Sequence, residues 1–249
     1  MRIVERAQAH AAAVTDVVHL GPTYDTIASA SLDATLRLAH RYSLEPAAPT
    51  RHPNKGPLFA LAAPSATTLL VGAASRELLV YDVVDAAQGK PTAAAAASTA
   101  LVSRGASTLH TGWVRSVAAR EPFAYSIGCN RGREWGLTRA RGTAFEAVSE
   151  RAVFEPQSAS NPAEVRGRDI LRLAAGDAGV AAGSVDGALR FWAGARGSAL
   201  GAGRQAPPTR WQGHEGRVTG LAFCGAALLS CSLDGRVRRW MGGVGGGSW

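Results

Sequence analysis

Residues 213–240 read GHEGRVTGLAFCGAALLSCSLDGRVRRW, and this stretch decides the fold. A Gly-His pair leads into an apolar-alternating segment, then a small-residue segment ending Ser-x-Ser-x-Asp-Gly, then a third segment ending at Trp240. Alternation with period two is the mark of half-buried strands. The Asp-Gly pair is a tight-hairpin signal that calls for positive φ at both central residues. Weaker copies recur upstream, HAAAVTDVVHLGPTYDTIASASLDATLRLAH over 10–40 and AAGSVDGALRFW over 181–192. Self-similarity of this kind implies stacked supersecondary units and shifts the functional expectation towards binding.

The third segments end at Ala39, Tyr81, Trp135, Trp192 and Trp240, spaced by 42, 54, 57 and 48 residues. That is one unit of about 40 residues with loop insertions, the size of a four-stranded propeller blade. In the first unit Val14, Val17 and the region of Leu20, then 27–31, then Leu36 and Leu38 read as half-buried strands. The expected fold is all-β, a β-propeller of four-stranded antiparallel blades forming a single domain over 1–249. Five repeats are recognisable, at approximately 8–40, 50–82, 108–136, 168–193 and 212–241. The leftover RIVERA within 1–7 suits a closing strand for the last blade, and the Gly-rich 242–249 a flexible tail. A seven-blade ring would need roughly 280 to 310 residues. The five repeats therefore either close through that strand or form part of a larger ring. The stretches 43–57, 86–98, 155–168 and 193–208 read as connecting loops.

These motifs resemble the WD-repeat β-propeller family, most specifically in the last repeat, where Gly213-His214, Asp234 and Trp240 fall at that family's spacing. The resemblance implies a structural polar set in each blade: a His in the loop entering it, a Ser or Thr on the second strand, an Asp in the next turn and a Trp on the third strand. The last repeat has every member, as His214, Ser230 or Ser232, Asp234 and Trp240. The first offers His10 and Asp33 with Ala39 in place of the Trp, and the third offers Asn130 opposite His110. The fourth keeps Asp186 and Trp192 but lacks the His. A buried set that satisfies itself ties loop, turn and strands together. Its recurrence argues against acid–base catalysis, which needs one constellation and not several.

No Gly-rich phosphate loop, nucleophile elbow, His-Glu-x-x-His or Cys-x-x-Cys spacing is present, so no catalytic residue, metal site, cofactor or small-molecule substrate is expected. Cys129, Cys224 and Cys231 read as small buried hydrophobes. Neither a membrane-length apolar run nor a secretory core appears, which points to a soluble intracellular protein, cytoplasmic or nuclear. The net charge of +8 is almost all arginine, with Lys55 and Lys90 the two lysines. Aligning HAAAVT, HTGWVR and HEGRVT places Ala13, Trp113 and Arg217 at one equivalent position. The resemblance then puts Trp113, Arg115, Glu215 and Arg217 near one partner-binding rim, Trp and Arg being common interface anchors. The function expected is a non-catalytic scaffold or adaptor binding other proteins. An RNA-associated scaffold using the arginine-rich surface is the second reading, and a propeller enzyme the third.

Overall fold

The computed structural model describes residues 10–20, 25–42, 44, 50–51, 56–85, 99–108, 110, 112–120, 123–129, 135–141, 146–154, 170–193 and 209–241. The expected closing strand at 1–7 and tail at 242–249 lie outside them. Nineteen strands and no helix are found among the described residues, so none of their helices could cross a membrane. The strands form five sheets, each a meander in chain order. The first holds β1 (Val14–His19), β2 (Thr26–Ser31), β3 (Thr35–His40) and β4 (Thr50–Arg51), and the second β5 (Leu58–Ser65), β6 (Thr68–Ala73), β7 (Glu77–Asp85) and β8 (Thr99–Thr108). The third holds β9 (Val114–Arg120), β10 (Phe123–Cys129), β11 (Trp135–Arg141) and β12 (Glu146–Phe154). The fourth holds β13 (Ile170–Gly176), β14 (Gly179–Ser184), β15 (Ala188–Ala193) and β16 (Thr209–Gln212). The last has β17 (Val218–Cys224), β18 (Ala227–Ser232) and β19 (Val237–Met241). By contacts the chain divides into two compact units, Met1–Val114 and Arg115–Trp249, and each is described by itself.

The turn between second and third strands differs from the expected geometry. Gly187 and Gly235 have φ of 78° and 77°, while Asp186 and Asp234 do not share the left-handed region. Each glycine N–H instead donates to the carbonyl three residues back, on Ser184 and Ser232. A four-residue turn closed by one left-handed residue is the outcome. The aspartate sets it by accepting from the backbone two residues on, Asp186 from Ala188 at 3.0 Å and Asp234 from Arg236 at 2.9 Å. The same left-handed position is held by Ala34 in the first sheet and Arg76 in the second.

In the first strand of four sheets the register shifts, at Val14/Asp16, Leu58/Ala60, Ile170/Arg172 and Val218/Gly220. Such a bulge re-aims the side chain beside it. Asp16 Oδ2 accepts the backbone N–H of Leu61 at 2.8 Å, and Ser116 Oγ accepts that of Leu173 at 3.0 Å. Arg172 Nε donates to the Thr219 carbonyl at 3.0 Å. In every case the side chain belongs to the earlier sheet and clasps the first strand of the next.

The apolar faces stack with one polarity. Ala28, Ala30, Leu36 and Leu38 of the first sheet pack on Leu61, Leu69, Val71 and Leu79 of the second. Tyr125 and Ile127 of the third pack on Leu173, Val180 and Trp192 of the fourth. Ala174, Ala181 and Phe191 of the fourth pack on Leu221, Phe223 and Leu228 of the last. Glycine allows the close approach there, since a Cβ at Gly183 would lie 2.5 Å from Val218 Cγ1. A sheet thus has a forward face, which covers its successor, and a backward face, which rests on its predecessor.

Several sequence expectations are corrected. Val14 and Val17 are exposed, because they lie off the packed face of β1, whereas Leu20 is buried. Trp135 opens β11, paired with Cys129, while Trp192 and Trp240 are the penultimate residues of β15 and β19. The innermost pairs Cys129↔Trp135, Gly183↔Leu189 and Cys231↔Val237 correspond, so Trp135 is the counterpart of Leu189 and Val237, and the register position of Trp192 and Trp240 falls to Thr138. β4 falls inside 43–57, which had read as loop. Cys224 is exposed and Cys231 half-buried, since both stand on the forward face of the last sheet.

Candidate functional site

The loop before β17 buries His214 against the last sheet. Its Nδ1 lies 2.9 Å from Asp234 Oδ2 and its Nε2 lies 2.7 Å from Ser230 Oγ. Trp240 Nε1 donates to the same hydroxyl at 2.9 Å. A carboxylate only accepts, so Nδ1 carries the ring proton of neutral His214, and Ser230 donates to Nε2. The result is a directed chain from Trp240 through Ser230 and His214 to Asp234, in which each bond polarises the next. Asp234 also accepts the Glu215 backbone N–H at 3.1 Å. Burial by itself would raise the Asp234 pKa, but donation from the Arg236 N–H, His214 and the Glu215 N–H outweighs it and lowers the value to about 2. Ser232 acts separately, accepting the Asp234 N–H at 3.1 Å and donating to the Gly216 carbonyl at 2.8 Å.

The first sheet has a related arrangement. His10 Nε2 lies 2.8 Å from Ser29 Oγ, and its Nδ1 lies 3.2 Å from Asp33 Oδ2 and 2.9 Å from Thr35 Oγ1. Thr35 Oγ1 donates to Asp33 Oδ1 at 2.5 Å, and the Ala11 N–H donates to Asp33 Oδ2 at 2.9 Å. Burial would raise the Asp33 pKa, yet the bonds from Thr35, from two backbone N–H groups and from His10 hold it well below the usual carboxylate range. Ser29 and Thr35 were not singled out from the sequence. Ser29 could have been, since it precedes Ala39 by the same ten residues that separate Ser230 from Trp240.

The fourth sheet works without a His. Asp186 Oδ1 lies 2.6 Å from Ser184 Oγ, and Gln212 Nε2 bridges the Asp186 and His214 carbonyls at 2.8 and 3.1 Å. Trp192 is buried against Tyr125 and Ile127. His110 is also buried, while Asn130, its expected partner, lies outside the described residues. A further aromatic array was not read from the sequence. The Trp211 ring stacks on Phe191 at 5.7 Å and 21°, and on Trp240 at 5.7 Å and 12°.

Of the four residues expected at a partner-binding rim, three are exposed. Trp113 is 49% exposed and its indole stacks on Phe59 at 5.6 Å and 29°. Glu215 and Arg217 are exposed on the loop into β17, where Glu215 accepts from Arg236 at 3.2 Å, and Arg115 is half-buried in β9. Trp113 falls in the first unit, and Arg115, Glu215 and Arg217 in the second.

A family model described as "WD domain, G-beta repeat" matches residues 206–240. No curated protein matches the chain. Among solved structures, U3-55K is similar at 18% identity and a TM-score of 0.67, over 94% of this chain and 62% of that one. The computationally designed Ika8 protein is similar at 17% identity and a TM-score of 0.56, over 93% of this chain and 59% of that one. The chain thus spans about three-fifths of the length of each, and the likeness is one of fold. The matched repeat lies over the sheet that holds the His214–Ser230–Asp234–Trp240 network, and four further sheets of the same plan precede it, so residues 206–240 are similar to a WD repeat and the chain has an all-β fold of propeller-like blades.

Proposed function

We propose that the chain is a non-catalytic platform that binds other proteins through residues at or beside the entrances to its sheets, namely Trp113, Arg115, Glu215 and Arg217. One observation carries this reading. Trp113 keeps half of its surface exposed while Phe59 supports one face of its ring, a fixed aromatic of the kind that anchors interfaces. The imidazoles that would suggest chemistry are spent elsewhere, since both ring nitrogens of His214 and of His10 are engaged within their own sheets.

The test pairs affinity capture and mass spectrometry with thermal melting of Trp113→Ala and Arg217→Ala. Loss of specific partners from folded variants supports the platform, and full retention by both refutes this choice of residues. A second reading, RNA association, rests on the charge of +8 and the exposed Arg217, Arg236 and Arg239 of the last sheet. It requires affinity for RNA that falls steeply with salt, in proportion to the phosphates contacted.

A further inference from the structure

The turn between β6 and β7 departs from the other turns of its kind. Its left-handed position is held by Arg76, at φ 73°, where the fourth and last sheets carry Gly187 and Gly235. A side chain there crowds its own backbone, and glycine takes the conformation without that cost. The residue before it is Ser75, where the first, fourth and last sheets have Asp33, Asp186 and Asp234. Each of those carboxylates accepts the backbone N–H two residues on, whereas Ser75 Oγ is buried and makes no hydrogen bond. The turn thus has neither the carboxylate cap nor the glycine. The Arg76 side chain is exposed, and its guanidinium has no polar partner among the described residues. A local rule broken with no compensating contact inside the chain points to a contact outside it.

The backbone puts this turn at the same end of the second sheet as the aromatic anchor. The Ala74 N–H donates to the Pro57 carbonyl at 2.9 Å and Leu58 pairs with Ala73, so the turn sits where β5 begins. Phe59, the next residue of β5, supports the half-exposed indole of Trp113. All of these residues belong to one unit, Met1–Val114. Resting on the platform reading, we propose that Arg76 is a partner-binding residue that takes a carboxylate of an acidic protein segment, whose neighbouring apolar side chain packs on Trp113. A guanidinium matches a carboxylate both in charge and in its two-pronged geometry. The neighbouring Glu77 is half-buried and otherwise engaged. Protein is favoured over RNA because Arg76 is the one cation among the described residues 56–59, 73–77 and 112–114, and a polyanion is held by several.

Selection of a phage-displayed random peptide library on the whole chain supplies the probes, and the recovered peptides are resynthesised with each Asp or Glu changed to its amide. Their binding is followed by fluorescence anisotropy, beside thermal melts of Arg76→Gly. The expected peptides carry a carboxylate next to an aromatic or aliphatic residue, and Arg76→Gly weakens them about tenfold while melting at or above the wild type. The amide peptides lose about as much against the wild type and nothing further against Arg76→Gly. Peptides that need Trp113 yet bind Arg76→Gly at full strength overturn the proposal and leave the platform reading standing. Peptides indifferent to Trp113→Ala, Arg217→Ala and Arg76→Gly alike overturn both. Recovery of no acidic peptide overturns the proposal, and binding of poly(U) that is then lost in Arg76→Gly assigns the residue to RNA instead. An Arg76→Gly chain that melts below the wild type overturns it too, by showing that the side chain serves the fold.

Discussion

Ser230→Ala probes the polar chain of the last sheet at its middle. The Ser230 hydroxyl is the shared partner of His214 Nε2 and Trp240 Nε1, and it is buried. Its removal leaves a buried imidazole acceptor unsatisfied, a loss of about 1–3 kcal/mol. The indole N–H of half-buried Trp240 recovers part of its loss from water, so the combined effect is about 2–3 kcal/mol. For a chain of this size that lowers Tm by about 4–12 °C. Thermal and urea melts followed by circular dichroism give the shift. Trp240→Phe should keep the stack on Trp211 while losing the N–H. A double-mutant cycle of Ser230→Ala with Trp240→Phe should therefore be non-additive by about 0.5 kcal/mol or more. The reasoning fails if Ser230→Ala falls within about 0.5 kcal/mol of wild type, the range of an ordinary surface substitution, or if the two changes simply add.

Three other outcomes follow from the same geometry. Asp33 and Asp234 have depressed pKa values in the folded chain, Asp234 at about 2, so their contribution is complete above the unfolded-state value near 4 and is lost as pH falls through the folded one. Urea melts should show wild-type stability falling in that acid window, with a flatter slope in Asp234→Asn. Asp16→Ala removes the acceptor of the Leu61 N–H and should cost about 1–3 kcal/mol, with faster hydrogen exchange at Leu61 as its local signature. Trp113→Ala should leave Tm nearly unchanged while partners are lost; a drop equivalent to about 3–5 kcal/mol, the cost of truncating a buried aromatic, would show the residue to be packing instead.

The polar residues of the last sheet could be named from the sequence because the family resemblance implies them at this spacing: loop His, strand Ser, turn Asp, strand Trp. What was missed depended on pairing that spacing does not reveal. Trp135 carried the right residue type, but it stands at the turn end of β11, opposite Cys129, where the fourth and last sheets have Leu189 and Val237, and Thr138 takes the register position of the Trp. The turn at Asp234-Gly235 was placed correctly and given the wrong backbone, since the aspartate caps its neighbours and needs no left-handed conformation of its own. Val17 was read from alternation as part of a half-buried strand and Cys224 was read as buried by residue type, yet each points away from the packed side of its sheet. The clasps of Asp16, Ser116 and Arg172 share no side-chain chemistry at all. Asp16 and Arg172 stand at bulges, and a bulge leaves no mark in a single sequence.

The ring stack of Phe191, Trp211 and Trp240 has an optical consequence. Its two indoles sit on different sheets, Trp211 on β16 and Trp240 on β19, nearly parallel and 5.7 Å apart. At that range their electronic transitions couple and give an exciton contribution to the aromatic circular dichroism. That contribution lasts while the last sheet stays seated on the fourth, and it vanishes if that sheet lifts away with its own hairpins intact. Comparing the aromatic circular dichroism of Trp211→Phe and Trp240→Phe with that of the parent therefore gives a spectroscopic readout of seating between neighbouring sheets, separate from the backbone signal of strand formation.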